Sequence, residues 1–260
     1  MIYFDKQKEL NAARFCERVS DVLGREFDLP EATVVDGIKK LTMFEKSSFL
    51  IEFDAMQLCY NGNKVCGDSY EFFTDDHGYA YLILSDGMGT GSRAAVDSVM
   101  VCSLLLKLIR GGFGIDAAIQ IVNSSLSVKS EEETISTVDI VRVDLYTGKA
   151  EIFKAGASST FLRKGGSVSM LDSTSLPIGI VGSVETDHYA TRLSSGDLIV
   201  MVSDGVVDTD PGWVETEIGL YRDLDCKELA VKIANEAKRR RRQIQDDDIT
   251  VMVAKLKKGV

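Results

Sequence analysis

Short runs of β-branched and aromatic residues, separated by turn residues, dominate the chain from about residue 47 onward. Strands that follow one another with such short turns pair antiparallel. Residues 138–171 leave no room for crossover helices, which argues against a single parallel sheet. The runs predict strands at residues 48–58, 79–84, 138–144, 149–155, 160–163, 168–171, 188–193, 198–203 and 249–256.

Apolar residues at helical spacing lie between these strands. Val99, Cys102 and Leu106 belong to a wide apolar stripe over residues 92–110, which Gly111-Gly112 ends. Similar stripes predict helices over residues 115–126 and 226–240. Runs of strands with helices inserted in pairs predict a layered α+β domain over residues 46–260.

The first 45 residues have a different pattern and predict an N-terminal helical linker or regulatory segment. Phe15, Val19 and Val22 recur at helical spacing and indicate one helix. Val34, Ile38 and Leu41 form a second short stripe, and Pro30-Glu31 before it is typical of a helix start. Two such helices cannot form a core by themselves, so we expect a linker or an arm that docks a partner.

Composition and charge exclude several classes of function. The 260 residues are 45% hydrophobic with a net charge of −10, which disfavours binding to nucleic acid or to an anionic membrane surface. No apolar run approaches the ~18–20 residues of a membrane span. The five cysteines form no C-x-x-C pair, which is typical of reduced thiols in a cytoplasmic domain.

One short sequence repeat points to chemistry. Ser-Asp-Gly occurs at residues 85–87 and again at 203–205, each time directly after an apolar strand. Gly67-Asp68-Ser69 and Asp246-Asp247-Asp248 place further carboxylates beside predicted strands. An Asp-Gly pair after a strand is most often only a turn, so each site alone is weak. Four such clusters together indicate a shared site.

Aspartates that converge at one end of a sandwich would repel one another unless a cation neutralised them. Oxygen ligands suit Mg²⁺ or Mn²⁺, and two histidines are too few for a typical zinc or Ser-His-Asp site. The expected chemistry is hydrolysis of a phosphate ester by a hydroxide held between two such ions. The glycine-rich residues 87–91 could instead form a nucleotide loop, but they lack the Lys-Ser/Thr of a P-loop.

The ordered motifs resemble the PPM (type 2C) metal-dependent serine/threonine protein phosphatases, in their bacterial branch. The match runs over about residues 55–257. The stretches that carry it are Gly67-Asp68-Ser69-Tyr70, Ser85-Asp86-Gly87-Met88-Gly89-Thr90-Gly91, Ser136-Thr137-Val138-Asp139, Lys154-Ala155-Gly156, Leu176-Pro177-Ile178-Gly179-Ile180, Ser203-Asp204-Gly205 and Asp247-Asp248-Ile249-Thr250.

The resemblance implies an αββα sandwich, two antiparallel sheets between helical layers, with a site for two Mn²⁺ or Mg²⁺ ions. Asp86 would bridge both ions and the Gly87 carbonyl would help to hold one. Asp204 and Asp247 would ligate the other, and Asp68 would act directly or through water. Asp68 and Asp86 are therefore the expected catalytic residues, whereas Asp246 and Asp248 are less certain ligands.

The sequence departs from the eukaryotic pattern at Met88, where that branch has a histidine thought to protonate the leaving group. The bacterial branch shares the methionine, and a metal-bound water is our hypothesis for the donor. No arginine stands out as a phosphate ligand. We interpret Lys238–Arg242 as the solvated end of a helix, Trp213 as part of a loop insertion, and residues 92–126 as a helical layer or a movable switch.

By resemblance, the substrate would be a phosphorylated STAS-domain anti-sigma-factor antagonist, whose dephosphorylation activates a sporulation sigma factor. The parent protein would be membrane-anchored, with this chain as a cytoplasmic domain that dimerises through its N-terminal or switch helices. Two alternatives are a catalytically silent scaffold domain and a small-molecule phosphohydrolase. Retention of all the acidic motifs argues against the scaffold.

Overall fold

The computed structural model describes residues 2–5, 11–29, 31–35, 38–59, 65–88, 92–129, 135–207, 211–221, 225–241 and 247–259. The chain divides into two compact units. The first contains residues 1–48 with 259–260, and the second contains residues 49–258. None of the helices in these ranges combines the length and the apolar character that a membrane span requires.

The first unit contains one helix and a three-stranded antiparallel sheet. Helix α1 (Ala12–Leu23) begins after Asn11, whose side chain accepts a hydrogen bond from the Arg14 backbone N–H, and ends at Gly24. The sheet has the order β1-β3-β2. Its strands are β1 (Ile2–Asp5), β2 (Glu31–Val35) and β3 (Ile38–Thr42).

The predicted second N-terminal helix is therefore wrong. The residues assigned to it form β2 and β3, which pair from Glu31–Thr42 to Val35–Ile38. The helical spacing of three apolar residues was outweighed by the β-branched run Thr33-Val34-Val35 and by Asp36-Gly37, a dipeptide typical of two-residue hairpin turns. Pro30, Asp36 and Gly37 lie outside the described residues.

The second unit contains ten strands and four helices within the described ranges. The strands are β4 (Phe49–Leu58), β5 (Asp68–Thr74), β6 (Tyr79–Asp86), β7 (Val138–Asp144), β8 (Lys149–Ala155), β9 (Thr160–Lys164), β10 (Ser167–Leu171), β11 (Asp187–Arg192), β12 (Leu198–Val202) and β13 (Ile249–Lys258). The helices are α2 (Ser92–Arg110), α3 (Ile115–Lys129), α4 (Gly212–Gly219) and α5 (Cys226–Arg240).

The strands form two five-stranded antiparallel sheets, ordered β10-β9-β12-β13-β4 and β11-β8-β7-β6-β5. Three groups of buried side chains define the layers. One, with Leu82 and Met252, joins the facing sheets. A second packs α2 and α3 on the β5–β8 side, and a third packs α4 and α5 on the β12–β13 side. The αββα sandwich is confirmed.

Two elements of this unit differ from the sequence-based prediction. Strand β5 begins at Asp68, which was expected only to precede a strand, and the polar start of β5 explains why it was missed. Trp213 was expected in a loop but lies in α4, where it packs against the α5 cluster and beneath the Arg240 guanidinium.

Candidate metal centre

Strand pairing brings the predicted aspartates to one end of the two sheets. Asp68 begins β5 and Asp86 ends β6, and the two residues are directly paired across the strands. Asp204 lies two residues after β12, and Asp247 lies two residues before β13. Strands β12 and β13 are antiparallel neighbours, so these two ends lie side by side. Asp86 and Asp204 line the same small cavity, of about 40 Å³.

Hydroxyl groups of the Ser136-Thr137 motif fix the backbone of Asp86. The Ser136 hydroxyl donates to the Asp86 carbonyl at 2.8 Å, and the Asp86 N–H donates to Thr137 Oγ1 at 2.9 Å. The Thr137 N–H also donates to the Asp86 carbonyl, at 2.8 Å. The Ser85 hydroxyl donates to the Thr137 carbonyl at 2.7 Å. These bonds hold the end of β6 to the start of β7.

The carboxylate of Asp68 is buried and held by hydroxyl groups of the other sheet. Thr250 Oγ1 donates to Asp68 Oδ2 at 2.6 Å, and the Ser203 side chain also bonds this carboxylate. Ser203 in turn accepts from the Thr250 N–H at 2.9 Å. Ser203 of the second Ser-Asp-Gly motif and Thr250 of the Asp-Asp-Ile-Thr motif therefore position Asp68.

The pKa values of the clustered carboxylates are raised when no cation is bound. Burial raises the pKa of Asp86 to about 10, and repulsion from Asp68, Asp204 and Asp247 adds to this effect. Burial also raises the pKa of Asp68 to about 6, although the Thr250 and Ser203 hydrogen bonds oppose the increase. Burial and the charge of Asp204 raise the pKa of Asp247. Such a cluster is stable in ionised form only with positive charge at its centre.

Two glycines permit the close backbone packing of the site. A Cβ at Gly87 would lie 2.2 Å from the Ala94 carbonyl oxygen in the first turn of α2. A Cβ at Gly205 would lie 1.7 Å from the Asp248 carbonyl oxygen. Both contacts are with backbone atoms that cannot move aside as a side chain could, so the glycines after Asp86 and Asp204 are sterically required.

The sequence model of the family described as "Stage II sporulation protein E (SpoIIE)" matches residues 76–257. The chain belongs to the SpoIIE family. It is 29% identical to the stage II sporulation protein E of Priestia megaterium over 255 residues, which cover 93% of this chain and 44% of that protein. It is also 29% identical to the Bacillus subtilis protein over 227 residues, or 85% and 27% of the two chains. The chain thus spans less than half the length of these relatives.

Solved structures agree with this assignment. The PP2C phosphatase domain of Bacillus subtilis SpoIIE, solved with a fragment of its regulatory domain, gives a TM-score of 0.83 at 26% identity. This match covers 100% of this chain and 78% of that one. The catalytic domain of the phosphatase PstP, solved with two manganese ions, shares the fold, with a TM-score of 0.64 at 20% identity and coverage of 80% and 99%. The resemblance to PPM phosphatases is confirmed, and the chain is a PP2C-type phosphatase domain.

The residues of this SpoIIE-family chain fit the divalent ions that the fold implies. The donor set consists of carboxylate and carbonyl oxygens, which hard cations such as Mg²⁺ and Mn²⁺ prefer. Burial raises the pKa values of Asp68 and Asp86, repulsion from nearby carboxylates adds to the increase, and bound cations would favour the ionised forms. The cluster would therefore bind divalent cations through Asp68, Asp86, Asp204 and Asp247, with the Gly87 carbonyl beside them.

Asp248 and Arg241 lie beside this cluster and make hydrogen bonds that the sequence did not indicate. Asp248 Oδ2 accepts from the Gly67 N–H at 2.7 Å, so this carboxylate fixes the turn before Asp68. Arg241 Nη2 donates to the Asp204 carbonyl at 3.0 Å, and its positive charge partly offsets the increase in the pKa of Asp247. The basic run thus contributes one residue to the site. Asp246, Gly89–Gly91 and Arg242 lie outside the described residues.

Neither histidine of this SpoIIE-family chain lies at the cluster. His77 is in the turn between β5 and β6, at the opposite end of β6 from Asp86. His188 is in β11 and stacks on Phe153, with ring centroids 4.5 Å apart. Met88 follows Gly87, is 63% exposed, and donates its backbone N–H to the Ile135 carbonyl. A side-chain proton donor is therefore absent at position 88.

Proposed function

We propose that the chain is a Mn²⁺- or Mg²⁺-dependent protein serine phosphatase that hydrolyses phosphoserine monoesters. The observation that carries this proposal is the convergence of Asp68, Asp204 and Asp247 around the half-buried Asp86. Membership of the SpoIIE family and similarity to the PP2C domain of Bacillus subtilis SpoIIE support the same reaction.

Each aspartate has a distinct role in this proposal. Asp86 and the Gly87 carbonyl would help to hold the divalent cations, together with Asp204 and Asp247. Asp68 acts directly or through a water molecule, at a position that Thr250 fixes. The bound ions would supply Lewis acidity at the phosphoryl group and lower the pKa of water. Ser136 and Thr137 keep Asp86 in place during the reaction.

The leaving serine oxygen must receive a proton, and Met88 cannot provide one. We propose that water in the metal centre is the donor. Met88→Gln should then retain most of the wild-type turnover number, because the exposed side chain takes no part in proton transfer. A collapse of the rate in Met88→Gln, with Mn²⁺ binding unchanged, would count against a water donor.

We further propose that the physiological substrate is a phosphorylated STAS-domain anti-sigma-factor antagonist, and that its dephosphorylation activates a sporulation sigma factor. Family membership supports a role in sporulation. Structural neighbours include the RsbU and RsbW domains of a Mycobacterium tuberculosis protein and a bacterial stressosome module. We also propose that the chain works as the cytoplasmic part of a membrane-anchored, homodimeric protein, with residues 1–45 as its regulatory segment.

The decisive experiment measures phosphate release from a phosphoserine STAS protein during a Mn²⁺ titration. We would compare wild type with Asp86→Asn and with Asp76→Asn. Asp76 is an exposed carboxylate in the turn at the far end of the same strand pair, and it serves as the matched control. We expect Mn²⁺-dependent turnover in wild type and Asp76→Asn and loss of turnover in Asp86→Asn.

Two results would favour the alternatives. If wild type is as inactive as Asp86→Asn on every phosphate ester, even at saturating Mn²⁺, the domain is either a scaffold or locked in an inactive state, and variants of the N-terminal segment would separate the two. If it hydrolyses small phosphate esters much faster than the phosphoprotein, it is a small-molecule phosphohydrolase. Retention of four converging carboxylates favours catalysis over a scaffold, because a binding surface does not require carboxylates close enough to repel one another.

A further inference from the structure

A second group of metal-ligating side chains lies beside the aspartate cluster. The sulfur atoms of Cys59 and Cys66 and a carboxylate oxygen of Asp248 all lie within 4.8 Å of one another. Cys59 and Cys66 are half-buried, and Asp248 is buried. None of the residues in the proposed phosphatase metal site belongs to this group.

Strand pairing brings these three side chains together. Leu58 pairs with Ile249 at the end of the β4–β13 ladder, so Cys59 and Asp248 occupy the next position outward. Cys66 lies two residues before β5, and Gln57 Nε2 donates to the Asp68 carbonyl at 3.2 Å, which ties β4 to the start of β5. The three ligands therefore come from the ends of three different strands.

The donor set differs chemically from the neighbouring aspartates. Two thiols and one carboxylate suit a soft or borderline cation such as Zn²⁺, whereas Mg²⁺ and Mn²⁺ prefer oxygen alone. In a tetrahedral zinc site two thiolate sulfurs lie about 3.8 Å apart. The Cys59 and Cys66 sulfur atoms lie within 4.8 Å of each other, so they would need to approach by about 1 Å or less to reach that geometry.

The surroundings of the group favour a cation. Asp248 is held in place, since its Oδ2 accepts from the Gly67 N–H and its own N–H donates to Asp247 Oδ1 at 2.8 Å. The Asp248 carboxylate beside the two thiols would attract a divalent ion, which would in turn stabilise the thiolates.

We propose that Cys59, Cys66 and Asp248 bind one Zn²⁺ ion in a site that is separate from the phosphatase metal centre. On binding, both thiols release their protons to solvent, and the fourth coordination position takes water. The ion joins the end of β4 to the starts of β5 and β13. It thereby restrains the turn before Asp68 and, through Asp248, the position of Asp247.

The test uses Co²⁺ as a spectroscopic substitute for Zn²⁺ in the full, reduced chain. Saturating Mg²⁺ is present to occupy the aspartate cluster. A cobalt–thiolate bond gives a sulfur-to-metal charge-transfer band that oxygen ligands do not give, so the readout is independent of phosphatase activity. We would titrate wild type, Cys59→Ser, Cys66→Ser, Asp86→Asn and Cys226→Ser. Cys226, a buried thiol that donates to the Glu52 carbonyl, is the matched control.

We expect wild type to bind one equivalent of Co²⁺ with a charge-transfer band, and Zn²⁺ to displace it. Cys59→Ser and Cys66→Ser should each weaken binding by more than about tenfold, the smallest loss typical even of residues that only support a ligand. Cys226→Ser and Asp86→Asn should bind as wild type does. The proposal is overturned if wild type shows no band, if Cys66→Ser binds Co²⁺ with wild-type affinity and an undiminished band, or if the band disappears in Asp86→Asn.

Discussion

Replacement of Lys154 by methionine should destabilise the second unit severely, although Lys154 lies outside the proposed metal ligands. Its side chain is fully buried in β8, directly opposite Asp139 in β7. Lys154 Nζ donates to Asp139 Oδ2 and, at 2.9 Å, to Thr160 Oγ1. The Thr160 hydroxyl donates to the same carboxylate oxygen at 2.6 Å. The three polar groups thus form a closed network in the core.

The structure sets the size of the effect. Methionine fills most of the volume of lysine, so little cavity forms and the main cost is the unpaired charge. Asp139 would keep only the Thr160 hydroxyl, and its Oδ1 has no hydrogen-bond partner among the described residues. Removal of one partner from a buried ion pair costs about 3–5 kcal/mol in the free energy of unfolding. For a unit of this size, that loss lowers the Tm by about 6–20 °C.

The assay is urea denaturation followed by the fluorescence of Trp213, which is the single tryptophan and reports on the second unit. Lys149→Met is the matched control in the same strand, because Lys149 is exposed, pairs with Glu151 and should cost less than about 1 kcal/mol. The double variant Asp139→Asn/Lys154→Met should recover at least half of the loss, since no charge remains unpaired. The reasoning is refuted if Lys154→Met unfolds within about 1 kcal/mol of wild type, or if the double variant is no better.

Three further predictions concern the metal centre. Thr250→Val removes the hydroxyl that donates to Asp68 and should weaken Mn²⁺ binding about 10–100-fold by calorimetry, while Thr216→Val, on the exposed α4 turn, should not. Arg241→Gln removes a positive charge beside Asp247 that would repel a bound cation, so Mn²⁺ affinity should rise about two- to fivefold, with the exposed Lys238→Gln as control. Because the folded pKa values of Asp68 (about 6) and Asp86 (about 10) lie above those of the unfolded chain, the metal-free fold should lose stability as the pH rises from about 4. Mn²⁺ releases those protons and should therefore stabilise more at pH 8 than at pH 5.5 in thermal unfolding, and equal stabilisation at both values would contradict the raised pKa values.

Local patterns predicted most of the strands and helices of the second unit. The bounds of β7, β8, α2 and α5 agree with the prediction because each combines a clear period with a glycine, an acidic cap or a tight turn at its ends. Strand β5 was missed because its first residue is a metal-ligand candidate and its burial is uneven. In the first unit, three apolar residues at helical spacing were misleading because β-branched neighbours favoured β2 and β3.

The sequence identified the carboxylates of the site but not the residues that position them. The repeated Ser-Asp-Gly pattern located Asp86 and Asp204 from local features alone. The bond from Thr250 to Asp68 joins residues 182 positions apart, and the contact of Arg241 with Asp204 depends on where α5 ends. Such contacts arise from packing of separate layers, and no periodicity within a single element encodes them.

The Asp139–Lys154 pair also has a consequence for how the β7–β8 hairpin forms. These residues face each other in only one alignment of the strands. A slip of one residue would turn the apolar face of β8 outward. A slip of two residues would keep the faces correct but would leave two buried charges apart, each without its partner. The pair therefore excludes the near-native alignments that hydrophobic patterning alone would tolerate. Since Ser136 and Thr137 directly precede β7, the correct alignment of this hairpin also determines where Asp86 is held.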